Sequence, residues 1–80
     1  MKHVTVYSKP ECHLCDAVEE VIRQVARRRR FRLTHKNILD DPADEERYRT
    51  AIPVITVDGV EIARYRLTAH QLEAALDEVN

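Results

Sequence analysis

The chain has 80 residues, 44% of them hydrophobic and 34% charged, a composition typical of one small globular domain spanning residues 1–80. Its 13 basic and 14 acidic residues give a formal net charge of −1, which argues against nucleic-acid binding as the main function. The sequence contains no apolar run near the ~18 residues of a membrane span and no secretory signal, so we expect a cytoplasmic protein that does not bind membranes. We also expect a monomer.

The first predicted strand and helix are separated by a short break. The β-branched and aromatic residues of Val4–Tyr7 predict a strand, which Ser8–Glu11 ends. A helix is predicted to begin near Cys12, and Arg27–Arg30 are expected to close it as a solvated end that suits the helix dipole. An acidic partner or nucleic acid is the alternative interpretation of this arginine run. The apolar stripe of the helix comprises Leu14, Val18, Val21, Ile22 and Val25.

The middle of the chain predicts a second strand and a short second helix. The segment Phe31–His35 alternates apolar and polar residues and is expected to continue as a strand to about Asn37. Pro42 follows two aspartates and precedes further acids, a pattern typical of the first turn of a helix. This helix is predicted to end near Tyr48 or Arg49.

The last part of the chain predicts a hairpin and a third helix. The segments Val54–Val57 and Val60–Ala63 predict two strands, and Asp58-Gly59 between them is a two-residue hairpin signal. Thr68 and Gln71 have the spacing of a capping box at the start of a helix. The apolar residues that flank this cap or line the helix are Leu67, Leu72, Leu76 and Val79.

The predicted element order is β-α-β-α-β-β-α, which indicates an α/β fold. The first β-α-β unit should be parallel and right-handed, as such crossovers nearly always are. The hairpin then adds two strands, one of them antiparallel. We therefore expect a four-stranded mixed sheet with helices on both faces.

The two cysteines, Cys12 and Cys15, form a C-x-x-C pair at the predicted start of the first helix. A structural disulfide is a poor explanation for this pair. Closing a loop of about four residues stabilises a protein by only roughly 2 kcal/mol, well below the stabilisation that long loops give. The sequence has no second cysteine pair for a four-sulfur zinc site, and its four histidines lack ligand spacing, so we expect no metal site. The spacing indicates a redox pair in a reducing compartment, with a buried inert pair or half of a metal site shared between chains as alternatives.

Two segments carry a family resemblance. The sequence YSKPECHLC at Tyr7–Cys15 closely resembles the active-site stretch of glutaredoxin-like proteins in the thioredoxin superfamily. The segment Ile52-Pro53 before a strand, followed by Val57-Asp58-Gly59, resembles the second signature of that family. The resemblance covers nearly the whole chain and is strongest to the short proteins whose pair is C-H-L-C. It implies a thioredoxin-like fold and a thiol–disulfide oxidoreductase that reduces protein disulfides or glutathione mixed disulfides.

The site residues follow from helix chemistry and from the resemblance. Cys12 is expected to be exposed and to attack a disulfide as the thiolate that a helix N-terminus favours. Cys15 is expected to point inward and to displace the product from the mixed disulfide. Lys9 should support the thiolate, and it matches a family position that helps hold the glutathione carboxylate. The resemblance implies that His13 tunes the reduction potential, with an uncoupled, solvent-exposed histidine as the alternative.

Substrate binding is also inferred from the resemblance. Ile52-Pro53 matches the cis-proline position, where the residue before the proline offers backbone hydrogen bonds to the substrate. Glutaredoxins carry a Gly-Gly pair and an Asp after the fourth strand that receive glutathione, whereas this chain has Arg64–Thr68 there. Arg64 or Arg66 could itself bind a glutathione carboxylate. We expect the loss of close contact between glutathione and the backbone to outweigh this gain, so glutathione binding should be weak.

The expected partners are disulfide-containing proteins and a reductant, either glutathione or a flavoprotein of the thioredoxin-reductase type, with no bound cofactor. Two other functions stay open at this point. One is a metal or Fe–S carrier that uses Cys12 with an external thiol, and the other is a redox-dead adaptor that binds partners through a thioredoxin-like groove. The intact pair of cysteines counts against both.

Overall fold

A computed structural model describes residues 1–78 and contains one mixed sheet and three helices. The predicted order of elements is confirmed, with one additional 3₁₀ turn at Ile38–Asp40. The elements are β1 His3–Ser8, α1 His13–Ala26, β2 Arg32–Asn37, α2 Pro42–Tyr48, β3 Val54–Val57, β4 Val60–Arg64 and α3 Ala69–Asp77.

The sheet has the strand order β2-β1-β3-β4. The pair β1 and β2 is parallel, as a β-α-β crossover through α1 requires, and the other two pairs are antiparallel. β3 and β4 are joined by Asp58 and Gly59, whose φ angles of 51° and 83° are those of the two-residue turn that fits a hairpin. The predicted mixed sheet is confirmed.

Two clusters of buried side chains lie on opposite faces of this sheet. Successive residues of β3 contribute to different clusters: Val54 packs in one, and Ile55 in the other. The larger cluster joins α1 and α3 to the sheet, and the smaller one contains Tyr48 of α2 and Cys15. The residues buried in the larger cluster are Val4, Val6, Val18, Ile22, Val25, Ile55, Val57, Leu67, Leu72 and Leu76.

The arginine run lies at the end of α1, where it was predicted. The helix ends at Ala26, and Arg27–Arg30 follow directly, with Arg27 as the C-cap. Arg28 pairs with Glu73 of α3 at 3.2 Å, and Arg29 pairs with Asp77. Glu73 and Asp77 are four residues apart and so lie on the same side of α3. Two of the four arginines therefore also link the end of α1 to α3, although the side chain of Arg28 stays 55% exposed.

The start of α3 agrees with the prediction. The Thr68 hydroxyl accepts a hydrogen bond from the Gln71 amide at 3.1 Å, and the Gln71 side chain accepts one from the Thr68 amide at 2.9 Å. Leu67, Leu72 and Leu76 are buried, whereas Val79 lies outside the described residues. Within α1, Leu14 departs from the predicted stripe, because its side chain is 43% exposed and Cys15 is buried instead.

Candidate active site

Cys12 is the N-cap residue of α1. Its backbone is extended, and its carbonyl accepts the first helical hydrogen bond from the Asp16 amide at 3.2 Å. Its Sγ accepts a hydrogen bond from the Cys15 amide, also at 3.2 Å. A serine or aspartate oxygen commonly makes this contact, because the first amides of a helix have no partner within it. The sulfur of Cys12 thus lies where an N–H dipole favours negative charge.

Cys12 and Cys15 form a disulfide whose Cα atoms are 5.2 Å apart, within the normal range for such a bridge. One helical turn separates the two residues, so the bridge needs no change in the backbone of α1. Cys15 is only 4% exposed and belongs to the smaller buried cluster, whereas Cys12 is partly exposed and packs against that cluster. An incoming molecule can therefore reach Cys12 more readily than Cys15.

The loop before β3 lies beside the two cysteines. Ile52 belongs to the same buried cluster as Cys15, and the peptide bond between Ile52 and Pro53 is cis, as the resemblance implies. Tyr48 is buried in this cluster and Tyr7 packs against it, and the centroids of their rings are 4.6 Å apart. The fold thus brings the C-x-x-C pair and the predicted substrate loop together.

Lys9 and His13 are both exposed, one in the turn after β1 and the other as the first residue of α1. Within residues 1–78, neither side chain is hydrogen-bonded to the sulfur of Cys12. They therefore lie near Cys12 along the chain without a hydrogen bond to its sulfur. Among the described residues, no group of three or more His, Cys, Asp or Glu side chains is arranged to hold a metal ion.

Tyr65, just after β4, is a residue that the sequence analysis did not single out. Its φ angle is +67°, a left-handed conformation that is unusual for a bulky side chain. Its amide donates to the carbonyl of Pro53 at 2.8 Å, and its hydroxyl donates to the carbonyl of Thr50 at 2.9 Å. The segment after β4 is therefore tied to the loop that packs beside the cysteines. No sequence pattern indicates this, because tyrosine has no preference for positive φ.

The two arginines near Tyr65 differ in their contacts. Arg64 donates to the carboxylate of Glu61, with one contact at 3.1 Å, and this hydrogen bond lowers the pKa of Glu61 and raises that of Arg64. Arg66 is exposed and makes none of the ion pairs found within residues 1–78. Of the two predicted carboxylate ligands, Arg64 already has a carboxylate partner within the chain.

Comparisons with known proteins agree on family and fold. Residues 3–77 match the family model of the glutaredoxin-like domain (DUF836). A search of curated proteins found no match. None of the described helices is long and apolar enough to cross a membrane.

Solved structures match over most of the chain. The X-ray structure of protein XcR50 from X. campestris is 33% identical, with a TM-score of 0.77, and the match covers 96% of this chain and 99% of that one. The solution structure of protein Ne2328 from Nitrosomonas europaea is 24% identical, with a TM-score of 0.79 and coverage of 91% and 88%. Chloroplastic thioredoxin z is 17% identical, with a TM-score of 0.72 and coverage of 94% and 75%. The fold is thioredoxin-like.

Proposed function

Because the chain belongs to the glutaredoxin-like domain family, we propose that it is a thiol–disulfide oxidoreductase that uses Cys12 and Cys15 to reduce protein disulfides or glutathione mixed disulfides. The proposal depends on one observation: the sulfur of Cys12 caps the N-terminus of α1, with Cys15 buried one turn away and within bonding distance. We place the reaction in the cytoplasm, where thiols are kept reduced and a dithiol pair can be recharged.

The reaction begins with the reduced pair. The Cys12 thiolate attacks one sulfur of the substrate disulfide, that bond breaks, and the other substrate sulfur leaves as a thiolate. The product is a mixed disulfide between Cys12 and the substrate. Cys15 then loses its proton and attacks the sulfur of Cys12, which releases the second substrate thiolate and closes the Cys12–Cys15 disulfide. Two electrons pass from the pair to the substrate, and an external reductant returns them.

The surrounding residues have supporting roles in this proposal. The backbone at Ile52, beside the cysteines, offers hydrogen bonds to the substrate segment. Lys9 adds positive charge on the side of the attacking thiolate, and His13 tunes the reduction potential of the pair. Cys15, shielded by its neighbours, stays a thiol until the mixed disulfide brings a target within its reach.

The electron donor we propose is a flavoprotein of the thioredoxin-reductase type rather than glutathione. Tyr65 and Arg66 place side chains where a close approach of the tripeptide would need bare backbone. Arg64 donates to Glu61 through Nε and Nη2, so this edge of its guanidinium already holds a carboxylate and is not open to one of glutathione. An exposed Arg66 alone would add little, since ion pairs in solvent contribute about 0–1 kcal/mol.

Two single-cysteine variants test the proposed chemistry. We expect Cys12→Ser to abolish dithiothreitol-driven reduction of insulin, because it removes the attacking sulfur. Cys15→Ser should also lose turnover, but when the reduced variant is mixed with insulin in the absence of dithiothreitol it should accumulate a covalent adduct with the substrate, detected by mass spectrometry as an intact mixed disulfide. Each variant serves as the control of the other, since both remove the disulfide and only one removes the nucleophile. Full turnover by Cys12→Ser would refute the assignment.

A further inference from the structure

The residue before the attacking cysteine has an unusual backbone conformation. Pro10 and Glu11 form the turn between β1 and Cys12, and the φ angle of Glu11 is +61°. Proline is favoured at the first central position of a β-turn, and a positive φ at the second position favours glycine or asparagine. Glutamate lacks both the freedom of glycine and a side chain short enough to bond its own backbone, so the backbone at this position is strained.

The position of this strain indicates a role for the side chain of Glu11. Strained residues persist only where the surrounding structure holds them, and they cluster at functional sites. This turn is held between β1 and the N-cap of α1, where the sulfur of Cys12 accepts a hydrogen bond from the Cys15 amide. Glycine would relieve the strain and keep the turn, so the backbone alone does not explain why a glutamate is present.

The charge of Glu11 opposes the charge of the reacting sulfur. In the proposed reaction Cys12 attacks as a thiolate, which the first amides of α1 favour. A carboxylate on the adjacent residue has the opposite influence, because a like charge disfavours the ionised form of its neighbour. Glu11 is exposed and makes none of the ion pairs found within residues 1–78, so its charge is not neutralised by a partner there.

Three other charged or titratable residues lie close to Cys12 along the chain. Lys9 and His13 are exposed, and a positive charge on either one supports the thiolate. Asp16 is in the first turn of α1, where a carboxylate suits the dipole of any helix. Glu11 differs from Asp16 because it lies outside the helix and its backbone is strained.

The buried cluster beside Cys12 is contacted by cations from other elements. Lys36 of β2 and Arg47 of α2 each lie over one of the two neighbouring tyrosine rings. Lys36 also pairs with Asp44 of α2 at 3.5 Å. Glu11 is therefore the carboxylate next to Cys12 in the chain, and it has no ion-pair partner in the part of the chain that the structure describes.

Resting on the proposed function, we propose that the carboxylate of Glu11 limits the thiolate fraction of Cys12 and thereby makes the reduced cysteine pair a stronger reductant. A thiolate that is less stabilised leaves the reduced form less favoured relative to the disulfide, so the pair gives up its electrons more readily. Glu11 contacts no substrate in this role and acts through Cys12. The backbone strain is the consequence of placing a carboxylate, rather than a glycine, beside the reacting sulfur.

The first test measures the ionisation of Cys12 in the Cys15→Ser protein. The rate at which iodoacetamide alkylates Cys12 follows the thiolate fraction and is recorded over a range of pH. We expect Glu11→Gln to raise this rate about two- to threefold on the acidic side of the profile, the size expected for two unit charges on adjacent residues in water. On the alkaline side the rates should be equal, because Cys12 is then fully ionised in both proteins.

The second test measures the reduction equilibrium in the protein with both cysteines, by mass spectrometry after equilibration in glutathione buffers. One oxidised glutathione takes two electrons and two protons from Cys12 and Cys15, which gives two reduced glutathiones and the intramolecular disulfide. Glu11→Gln should lower the equilibrium constant for this oxidation about two- to threefold at a pH where Cys12 is ionised. Where Cys12 is protonated the constant should be unchanged, whereas a merely structural effect would alter it at both pH values.

Two further substitutions separate the charge of Glu11 from its backbone. Glu11→Asp keeps a carboxylate on a residue that tolerates positive φ, so it should behave like the parent protein. Glu11→Gly removes the charge and the strain together and should match Glu11→Gln. The matched control is Glu73→Gln, which removes a carboxylate near the opposite end of α1 and should leave both measurements unchanged.

The outcomes distinguish this proposal from the proposed function. An unchanged alkylation profile in Glu11→Gln, with insulin reduction intact, would refute the role of Glu11 and leave the proposed function standing. A change in Glu11→Gly without one in Glu11→Gln would assign the effect to the backbone and would also refute it. If the cysteines of the parent protein did not exchange with glutathione buffers at all, both proposals would fail.

Discussion

The two buried clusters of this small domain are built differently. The larger cluster consists of aliphatic side chains that, apart from Leu67, lie on regular elements, with α1 and α3 packed against β1 and β3. The smaller cluster, around Cys15, draws Ala51 and Ile52 from a loop and includes an aromatic residue, Tyr48. Among residues 1–78, three non-glycine residues have a positive φ, and two of them, Glu11 and Tyr65, flank this second region.

Because of this difference, the two clusters should have different roles, one in the stability of the fold and the other in the reactivity of the cysteines. The larger cluster buries apolar surface continuously, so its residues should determine the free energy of unfolding. The region around the cysteines is held by individual contacts, such as the hydrogen bonds of Tyr65 to Pro53 and Thr50. Changes there should alter reactivity or specificity more than global stability, because loops at functional sites come from the less stable parts of a fold.

We expect the largest change in the free energy of unfolding from Ile22→Ala. Ile22 is fully buried in the larger cluster, and truncating such a side chain leaves a cavity that costs about 2–5 kcal/mol. We expect urea unfolding to show this loss, a substantial part of the ~5–15 kcal/mol that stabilises a typical domain. In the folded variant, the rate at which iodoacetamide alkylates Cys12 should be unchanged.

The control for this variant is Leu39→Ala. Leu39 is 52% exposed in the 3₁₀ turn, so its truncation should cost under about 0.5 kcal/mol. If Ile22→Ala also changed the alkylation rate of Cys12 by several-fold, the two regions would not be independent and the comparison would fail.

The sequence predicted the elements well where a local pattern determines them. The capping box at Thr68 and the turn at Asp58-Gly59 are short-range signals, and both appear where expected. The pairing of Arg28 and Arg29 was not predicted, because their partners in α3 are more than 40 positions away in the chain. Such pairing depends on tertiary structure rather than on helix propensity.

The candidate site divides in the same way. The cysteine pair and Pro53 were found because the resemblance places them together, and Cys15 is buried as helix geometry suggests. Leu14 was assigned to the core by its spacing, although it lies at the first turn, where α1 borders a cleft instead of the sheet. The role of Tyr65 depends on a backbone angle imposed by long-range hydrogen bonds, which no local pattern encodes.

A second prediction concerns the choice of reductant. We expect turnover of a glutathione mixed disulfide, driven by glutathione and its reductase, to be about tenfold less efficient than insulin reduction driven by thioredoxin reductase. The reason is that a glutathione carboxylate or amine left without a partner loses a charged hydrogen bond worth ~1.5–3 kcal/mol. Both assays use the same preparation, so differences in the fraction of active protein cancel. Robust activity in the first assay with none in the second would contradict this expectation.

The smallest effect is expected from a variant that removes the hydrogen bonds between Arg64 and Glu61. Glu61 accepts hydrogen bonds from Arg64, which lowers the pKa of Glu61, so the pair is intact at neutral pH and is lost only as the pH falls through that lowered pKa. Glu61→Gln leaves Arg64 with a neutral neighbour and frees its guanidinium for a glutathione carboxylate. We expect glutathione-driven turnover at pH 7 to rise about two- to threefold, in keeping with the small energies of exposed ion pairs.

The control for this last variant is Glu73→Gln. It removes the carboxylate partner of Arg28, a surface arginine that lies beyond the end of α1. It should leave glutathione-driven turnover unchanged, because Arg28 follows the C-terminal end of α1 while Cys12 caps its N-terminal end. Insulin reduction should be the same in both variants. If Glu61→Gln did not raise the glutathione rate above that of Glu73→Gln, occupancy of Arg64 would not limit glutathione binding, and the side chains of Tyr65 and Arg66 would account for the weak binding by themselves.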